Sequence, residues 1–276
     1  MSGFLDQMAA SSHARVRAAK SRVAEAALLE RAQCTPAPPP LRLAADGFDL
    51  IAELKLRSPA AGALGTVDAS IAAHVTAYAR AGAAAVSVLT EPTRFDGSLV
   101  HLTDAARALA PHHVPAMRKD FLIDPYQVLE ARAAGAGGVL LILRMLSRET
   151  LGALIECARQ QELFVLLEAF DAQDLEYLAE VIAADAGRTT LLAGVNCRDL
   201  ATLEVVPERL LELAPLLPPG VPQVAESGIS AAEDARRVAA AGYRLVLVGS
   251  ALMRDQDPVG LARALIEGGR AARRTS

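Results

Sequence analysis

Eight short apolar runs recur along the chain, and their spacing constrains the fold more than any other feature. They are DLIAEL (49–54), AAVSVLT (84–90), VPAMRK (114–119), GVLLIL (138–143), LFVLLEA (163–169), LLAGVN (191–196), PQVAES (222–227) and RLVLVG (244–249). Their starts lie 22 to 35 residues apart, which leaves room for one helix and two turns between each pair. Runs such as VLLIL and LFVLL are apolar at every position rather than alternately, the pattern of strands buried on both faces of a parallel sheet. The segments between them, for example SIAAHVTAYARAGA (70–83) and AEDARRVAAAGY (232–243), carry helical periodicity. Gly82, Gly135 and Gly242 stand just before the next strand, where helices end. Eight such units predict an α/β chain folded as a closed (β/α)8 TIM barrel. A chain of 276 residues suits one barrel, whose usual size is about 250. No GxGxxG follows the first run, which argues against an open dinucleotide-binding sheet.

The boundaries follow from the same pattern. Residues 1–47 precede the first strand and read as a helical extension capping one end of the barrel, with a helix over about 2–32 and a stiff CTPAPPP stretch after it. Residues 48–270 form the barrel, and 271–276 a solvated Arg-rich tail. A hydrophobic fraction of 52% with 22% charged residues supports a large core. A net charge of −4 leaves no basic face for nucleic acid. No apolar run is long enough for a membrane helix and no secretory signal opens the sequence. Cys34, Cys157 and Cys197 are scattered and odd in number, so neither a disulfide framework nor a zinc site is expected, and a cytoplasmic location fits. The sequence carries no signal of oligomeric state.

In a barrel the chemistry gathers at the C-terminal ends of the strands, and here the polar residues gather there too. The first run ends with Glu53 and Lys55, the third with Lys119 between Arg118 and Asp120, the fifth at Glu168, the sixth at Asn196 and the seventh at Glu226. Carboxylates and ammoniums converging on one mouth would shift one another's pKa, as catalytic groups require. The loops after strands seven and eight, Ser227-Gly228 and Gly249-Ser250, lead into helices and offer backbone amides to a phosphate, with Ser58 adding a hydroxyl. The expected partner is therefore a phosphorylated small molecule. The histidines fall away from strand ends, so no metal cluster or histidine-based triad is expected. Cys197 has no base placed with it and reads as a small packed residue. Phe95, in the loop EPTRFDGS (91–98), is a candidate to pack on an aromatic substrate.

The motifs IAELKLRSPAAG (51–62), AMRKDFLIDPYQVLEAR (116–132), GVNCRDL (194–200), VAESGIS (224–230) and LVGSALM (247–253) together resemble those of indole-3-glycerol-phosphate synthases. The likeness covers about residues 48–255, and the N-terminal extension is also a trait of that family. It implies conversion of 1-(2-carboxyphenylamino)-1-deoxyribulose 5-phosphate to indole-3-glycerol phosphate with loss of carbon dioxide and water, in tryptophan biosynthesis, without a metal or organic cofactor. On that resemblance Lys119 is the general acid and Glu168 an acid–base residue. Lys55 and Arg198 hold the anthranilate carboxylate, and Glu53, Glu226 and Asn196 orient lysines and substrate. Ser58, Ser227, Gly228, Gly249 and Ser250 bind the phosphate. The chain departs from the family pattern at Phe170, where a polar residue is common, and at Ala60, where a serine is common. It also has a longer stretch at 183–190, expected to lengthen a turn on the side away from the mouth. No second barrel is expected after residue 276, which excludes the fused bifunctional form.

Two other readings compete. A Schiff-base aldolase would use Lys119 as a nucleophile, and a non-catalytic phosphate-binding barrel would act as a scaffold. The scaffold has no use for buried charges that are costly to desolvate. A sister isomerase of the same pathway would want a cysteine and an aspartate at strand ends, and Cys34 and Cys157 are badly placed for that.

Overall fold

The apolar runs become eight strands in a computed structural model that describes residues 3–45, 47–58, 62–63, 70–199 and 202–274. They are β1 (Asp49–Leu54), β2 (Ala85–Leu89), β3 (Ala116–Lys119), β4 (Gly138–Ile142), β5 (Phe164–Ala169), β6 (Leu191–Asn196), β7 (Gln223–Glu226) and β8 (Leu245–Val248). Each lies inside its predicted run. All pair in parallel with their sequence neighbours, and β8 closes on β1, so the sheet is a complete barrel with no free edge.

Strand parity explains why the runs are apolar throughout. Ile51, Ala85, Met117, Leu140, Leu166, Leu192, Val224 and Leu245 point inward and plug the barrel. Their neighbours Leu50, Val86, Val139, Leu141, Val165, Leu167, Ala193 and Val246 point outward under the helices. Both sets are buried, so nothing along a strand needs to be polar until its tip. The next inward positions above the plug are Glu53, Lys119, Glu168 and Glu226, each two residues beyond an apolar plug residue. The site is thus the uppermost layer of the barrel interior.

Helix starts follow local chemistry. Ser98, Asp124, Ser147, Asp171 and Asp257 each accept a first-turn amide hydrogen with their side chains. The three glycines expected at helix ends all adopt positive φ. The stretch 183–190 ends a helix and turns toward the start of β6, away from the mouth. Its turn is closed by the Asp185 carboxylate, which accepts from the Thr189 amide and hydroxyl at 2.8 Å. Among the described residues no helix is long and apolar enough to cross a membrane.

The N-terminal segment differs from the single helix expected. It forms α1 (Phe4–Lys20) and α2 (Glu25–Cys34) with a break between them. The break is bridged by a residue far away in sequence: the Tyr126 hydroxyl lies 3.2 Å from the Ala19 carbonyl and 3.0 Å from the Val23 carbonyl. Helix α1 lies over the mouth, where Met8 joins the barrel-interior cluster and the Ser12 hydroxyl donates to the Phe121 carbonyl at 2.6 Å. Leu41 and Leu43 also pack on that interior cluster, and the adjoining Ala44 amide donates to Asp49 at the start of β1. The extension therefore touches both ends of the barrel.

Candidate active site

A cavity of about 1050 Å³, its open mouth included, sits at the C-terminal ends of the strands. Every residue selected from the sequence lines it: Glu53, Lys55, Ser58, Phe95, Lys119, Glu168, Asn196, Arg198, Glu226, Ser227, Gly228, Gly249 and Ser250. Ala60, a departure from the family pattern, lies outside the described residues.

The polar half is organised around Lys119. Its Nζ lies 3.3 Å from Glu168 Oε2 and 3.3 Å from Glu226 Oε2. Asn196 Nδ2 donates to the other oxygen of Glu168 at 2.5 Å, which fixes that carboxylate. Lys55 Nζ pairs with Glu53 Oε1 at 2.6 Å. Burial alone would push the Lys119 ammonium down, but Glu168, Glu226 and Glu53 outweigh it and hold its pKa above the ordinary lysine value. Burial would likewise raise Glu53, yet Lys55 and Lys119 keep it ionised and below the usual carboxylate range.

Glu226 behaves oppositely. Burial, with Glu168 close by, pushes it up to about 8 despite its contact with Lys119. One ammonium is shared by two buried carboxylates, and Glu226 is the one with an oxygen, Oε1, that finds no hydrogen-bond partner among the described residues. The two tendencies are compatible because Glu168 and Glu53 still face the ammonium when the less satisfied carboxyl of Glu226 takes up a proton.

Two glycines make this packing possible. A Cβ at Gly194 would come within 2.3 Å of Glu226 Oε1, and one at Gly249 within 2.3 Å of Glu53 Oε1. Neither carboxyl could lie where it does over any other residue. Beside them, Ser227 and Gly228 adopt φ of 68° and 71°, turning the chain so that successive amides can face one ligand. Gly249 precedes the short helix Ser250–Arg254. Arg198 is held along its loop, its amide donating to Asn196 Oδ1 at 2.9 Å and its guanidinium to the Leu203 carbonyl at 2.8 Å. Cys197 is buried behind Gly228, and burial pushes its thiol up to about 11, far from a nucleophile's range.

The apolar half of the cavity was not selected from the sequence. It comprises Phe4, Leu5, Phe121, Leu140, Ile142 and Phe170, beside the selected Phe95. Phe121 lies 5.8 Å from Phe4, edge-on, and 6.2 Å from Phe95. Phe121 and Phe170 follow Lys119 and Glu168 by two residues, so strand parity was a usable signal for both. Phe4 and Leu5 arrive on α1, a helix the sequence predicts although no local pattern marks its contact with the mouth. Also unselected is the scaffold behind Lys119. Asp120 accepts from both terminal nitrogens of Arg15 at 2.8 Å, from the Thr90 hydroxyl at 2.7 Å and from Arg118 at 3.1 Å. Burial would raise Asp120, but Arg118 and Arg15 lower it to about 2.

Comparison with known proteins shows the family. A family described as "Indole-3-glycerol phosphate synthase" matches residues 5–265. A protein of that name from Parafrankia sp. (strain EAN1pec) is 45% identical over 246 residues, covering 88% of each chain. Another from Mycolicibacterium vanbaalenii is 39% identical over 267 residues, covering 96% of this chain and 94% of the relative. Among solved structures, 3-hexulose-6-phosphate synthase from Salmonella typhimurium superposes with a TM-score of 0.60 at 16% identity, over 82% of this chain and all of that one. Thiamine phosphate pyrophosphorylase from Pyrococcus furiosus gives 0.57 at 17% identity, over 82% and 96%. These two share the barrel alone.

Proposed function

The chain belongs to the indole-3-glycerol phosphate synthase family, and from that premise we propose how its mouth divides the family's reaction among its residues. It is a decarboxylating lyase of tryptophan biosynthesis acting on a phosphorylated small molecule. The substrate carries an aryl ring with a carboxylate at one end and a phosphate at the other. The cavity has complementary halves: an apolar wall for the ring, amides near Gly228 and Gly249–Ser250 for the phosphate, and Lys55 with Arg198 for the carboxylate.

Ring closure forms a bond from the carboxylate-bearing ring carbon to the ketone carbon, and the ketone oxygen becomes an alkoxide. Lys119 supplies the proton to that oxygen. Its ammonium is held firmly charged, but an alkoxide is a much stronger base than an amine, so the transfer is downhill once the bond forms. Carbon dioxide then leaves, returning its bonding electrons to the ring. Loss of the hydroxyl as water needs a proton on the leaving oxygen and removal of one from the neighbouring carbon. Glu168, fixed by Asn196, accepts the latter. An ionised substrate carboxylate that departs as neutral carbon dioxide, with water as the other leaving group, consumes one proton per turnover. Glu226, neutral near pH 7, recharges Lys119, which then protonates the leaving hydroxyl. Glu168 returns the proton it took to Lys119, 3.3 Å away, and Glu226 is reprotonated from solvent, the one proton each turnover consumes. Glu53 keeps Lys55 in place.

The observation that carries this reading is the Lys119 ammonium suspended between Glu168 and Glu226 inside a cavity with an apolar wall. A lysine held protonated in this way is a poor amine nucleophile, which disfavours the Schiff-base reading. The test uses indole fluorescence, and the chain itself contains no Trp to mask it. Wild-type protein mixed with the anthranilate-derived substrate should produce the signal. Lys119→Met should bind substrate within a few-fold of wild type yet turn over about 10²–10⁴-fold more slowly, the usual cost of losing a general acid. A Lys119→Met rate within tenfold of wild type would contradict the assignment.

A further inference from the structure

The catalytic cavity does not stand alone. A second cavity adjoins it on the outer side, lined by Asp6, Arg144, Asp171, Asp199 and Arg209 among others. Phe4, Leu5, Phe170 and Arg198 line both. The wall between an apolar chamber and a charged one is therefore a single side chain thick, and Phe170, the residue just beyond β5, is one of its two aromatic members.

We propose that Phe170 is a specificity-determining residue: it partitions the aryl-ring chamber from this charged vestibule and so decides which substituents the ring may carry. The inference rests on the reading of the mouth as the site of indole ring closure.

Three observations support it. Phe170 follows Glu168 by two residues, so its ring points to the same interior as the acid–base carboxylate, and it is only 3% exposed. Its position is pinned from behind. The Arg144 guanidinium stacks on the ring 4.6 Å from the centroid, and Arg144 is itself held by Asp174 at 2.6 Å and by Asp171 at 2.6 Å. The Phe170 amide donates to the same Asp174 carboxylate at 2.8 Å, so backbone, ring and cation share one anchor. A wall fixed in this way cannot swing aside to admit a larger or more polar group.

On the chamber side Phe170 offers carbon alone. A ring hydroxyl facing it would be stripped of water without a hydrogen-bond partner, whereas a chlorine or methyl would pack. On the vestibule side stand Arg144 and the aspartates. Cutting Phe170 back to Ala joins the two spaces and brings water and Arg144 within reach of the ring.

The experiment compares wild type with Phe170→Ala and Phe170→Leu on the parent substrate and on analogues chlorinated or hydroxylated at each open ring position. Wild type should favour chlorine over hydroxyl by roughly tenfold or more in kcat/KM at the position facing the wall. Phe170→Ala should narrow that gap about tenfold, mainly through KM, while kcat on the parent changes less. Phe170→Leu keeps an apolar but shorter wall and should narrow it about threefold; it also serves if Phe170→Ala does not fold. Gaps equal to wild type in the folded variants, with the parent still turned over, would overturn the proposal. Failure of wild-type protein on the parent substrate would instead overturn the reading of the site on which it rests.

Discussion

Glu226 is the residue whose setting has the clearest consequence. Its carboxyl is raised to about 8, so it is neutral in the native protein below that pH and ionised above it. If it brings the proton each turnover consumes, kcat/KM, which reports groups of the free enzyme, should fall as pH rises through about 8, and Glu226→Gln, which holds no such proton, should be slower and lose that alkaline limb. An alkaline limb unchanged in Glu226→Gln would remove Glu226 from the proton path. The same shift bears on folding. A carboxyl that binds its proton more tightly in the native state favours that state most below its unfolded pKa near 4.5, and the advantage is lost as pH rises through about 8. Most of the polar site was legible at this scale. In runs that are mostly apolar, Glu53, Lys119, Glu168 and Glu226 stand out at the strand tips, and alternation sends all four inward. Phe121 and Phe170 share that parity, yet an aromatic after an apolar strand carries no contrast, and Phe170 stands out only as a departure from the family pattern.

Among the elements, β3 and α1 depend on each other. Lys119 lies between Arg118 and Asp120, whose side chains point away from the mouth into a buried ionic network. Helix α1 grips that network through Arg15 and the Phe121 carbonyl through Ser12. Arg15→Ala should cost roughly 2–3 kcal/mol in urea unfolding, at or below the usual range for breaking a buried pair, because Arg118 and Thr90 still face Asp120. It should also lower kcat more than it changes the alkaline pKa of the rate profile, since it moves Lys119 without altering its partners. Stability and kcat both equal to wild type would show that α1 merely covers the mouth. The strands were readable to within two residues because burial on both faces leaves an unbroken apolar signature. The break between α1 and α2 was not, since the residue that bridges it, Tyr126, lies about a hundred residues away. Nor was the reach of residues 41–44 beneath the barrel, because an extended segment has no periodicity to read.

For the whole molecule, the barrel converts eight separated strand tips into one surface. The chain carries a net charge of −4, yet its mouth gathers Lys55, Lys119 and Arg198 beside Glu53, Glu168 and Glu226. With Glu226 protonated and Asp120 neutralised from behind by Arg15 and Arg118, the cationic groups facing the cavity outnumber the anionic ones, so an anionic substrate meets a locally favourable field on a molecule that is negative overall. Net charge excludes a broad basic face but does not locate such a site, because it averages over a surface of which the site is a small part. The eightfold repeat was legible in the sequence, whereas closure into a barrel followed only from the number of units. The spatial claim is tested most directly by determining the structure of this protein with a non-reacting substrate analogue whose ketone is reduced to an alcohol. The account predicts a phosphate against the amides at Gly228 and Gly249–Ser250, the aryl ring against Phe121 and Phe170, and the alcohol oxygen within hydrogen-bonding reach, about 3 Å, of Lys119 Nζ. An analogue bound with its phosphate elsewhere, or with that oxygen facing away from Lys119, would contradict it.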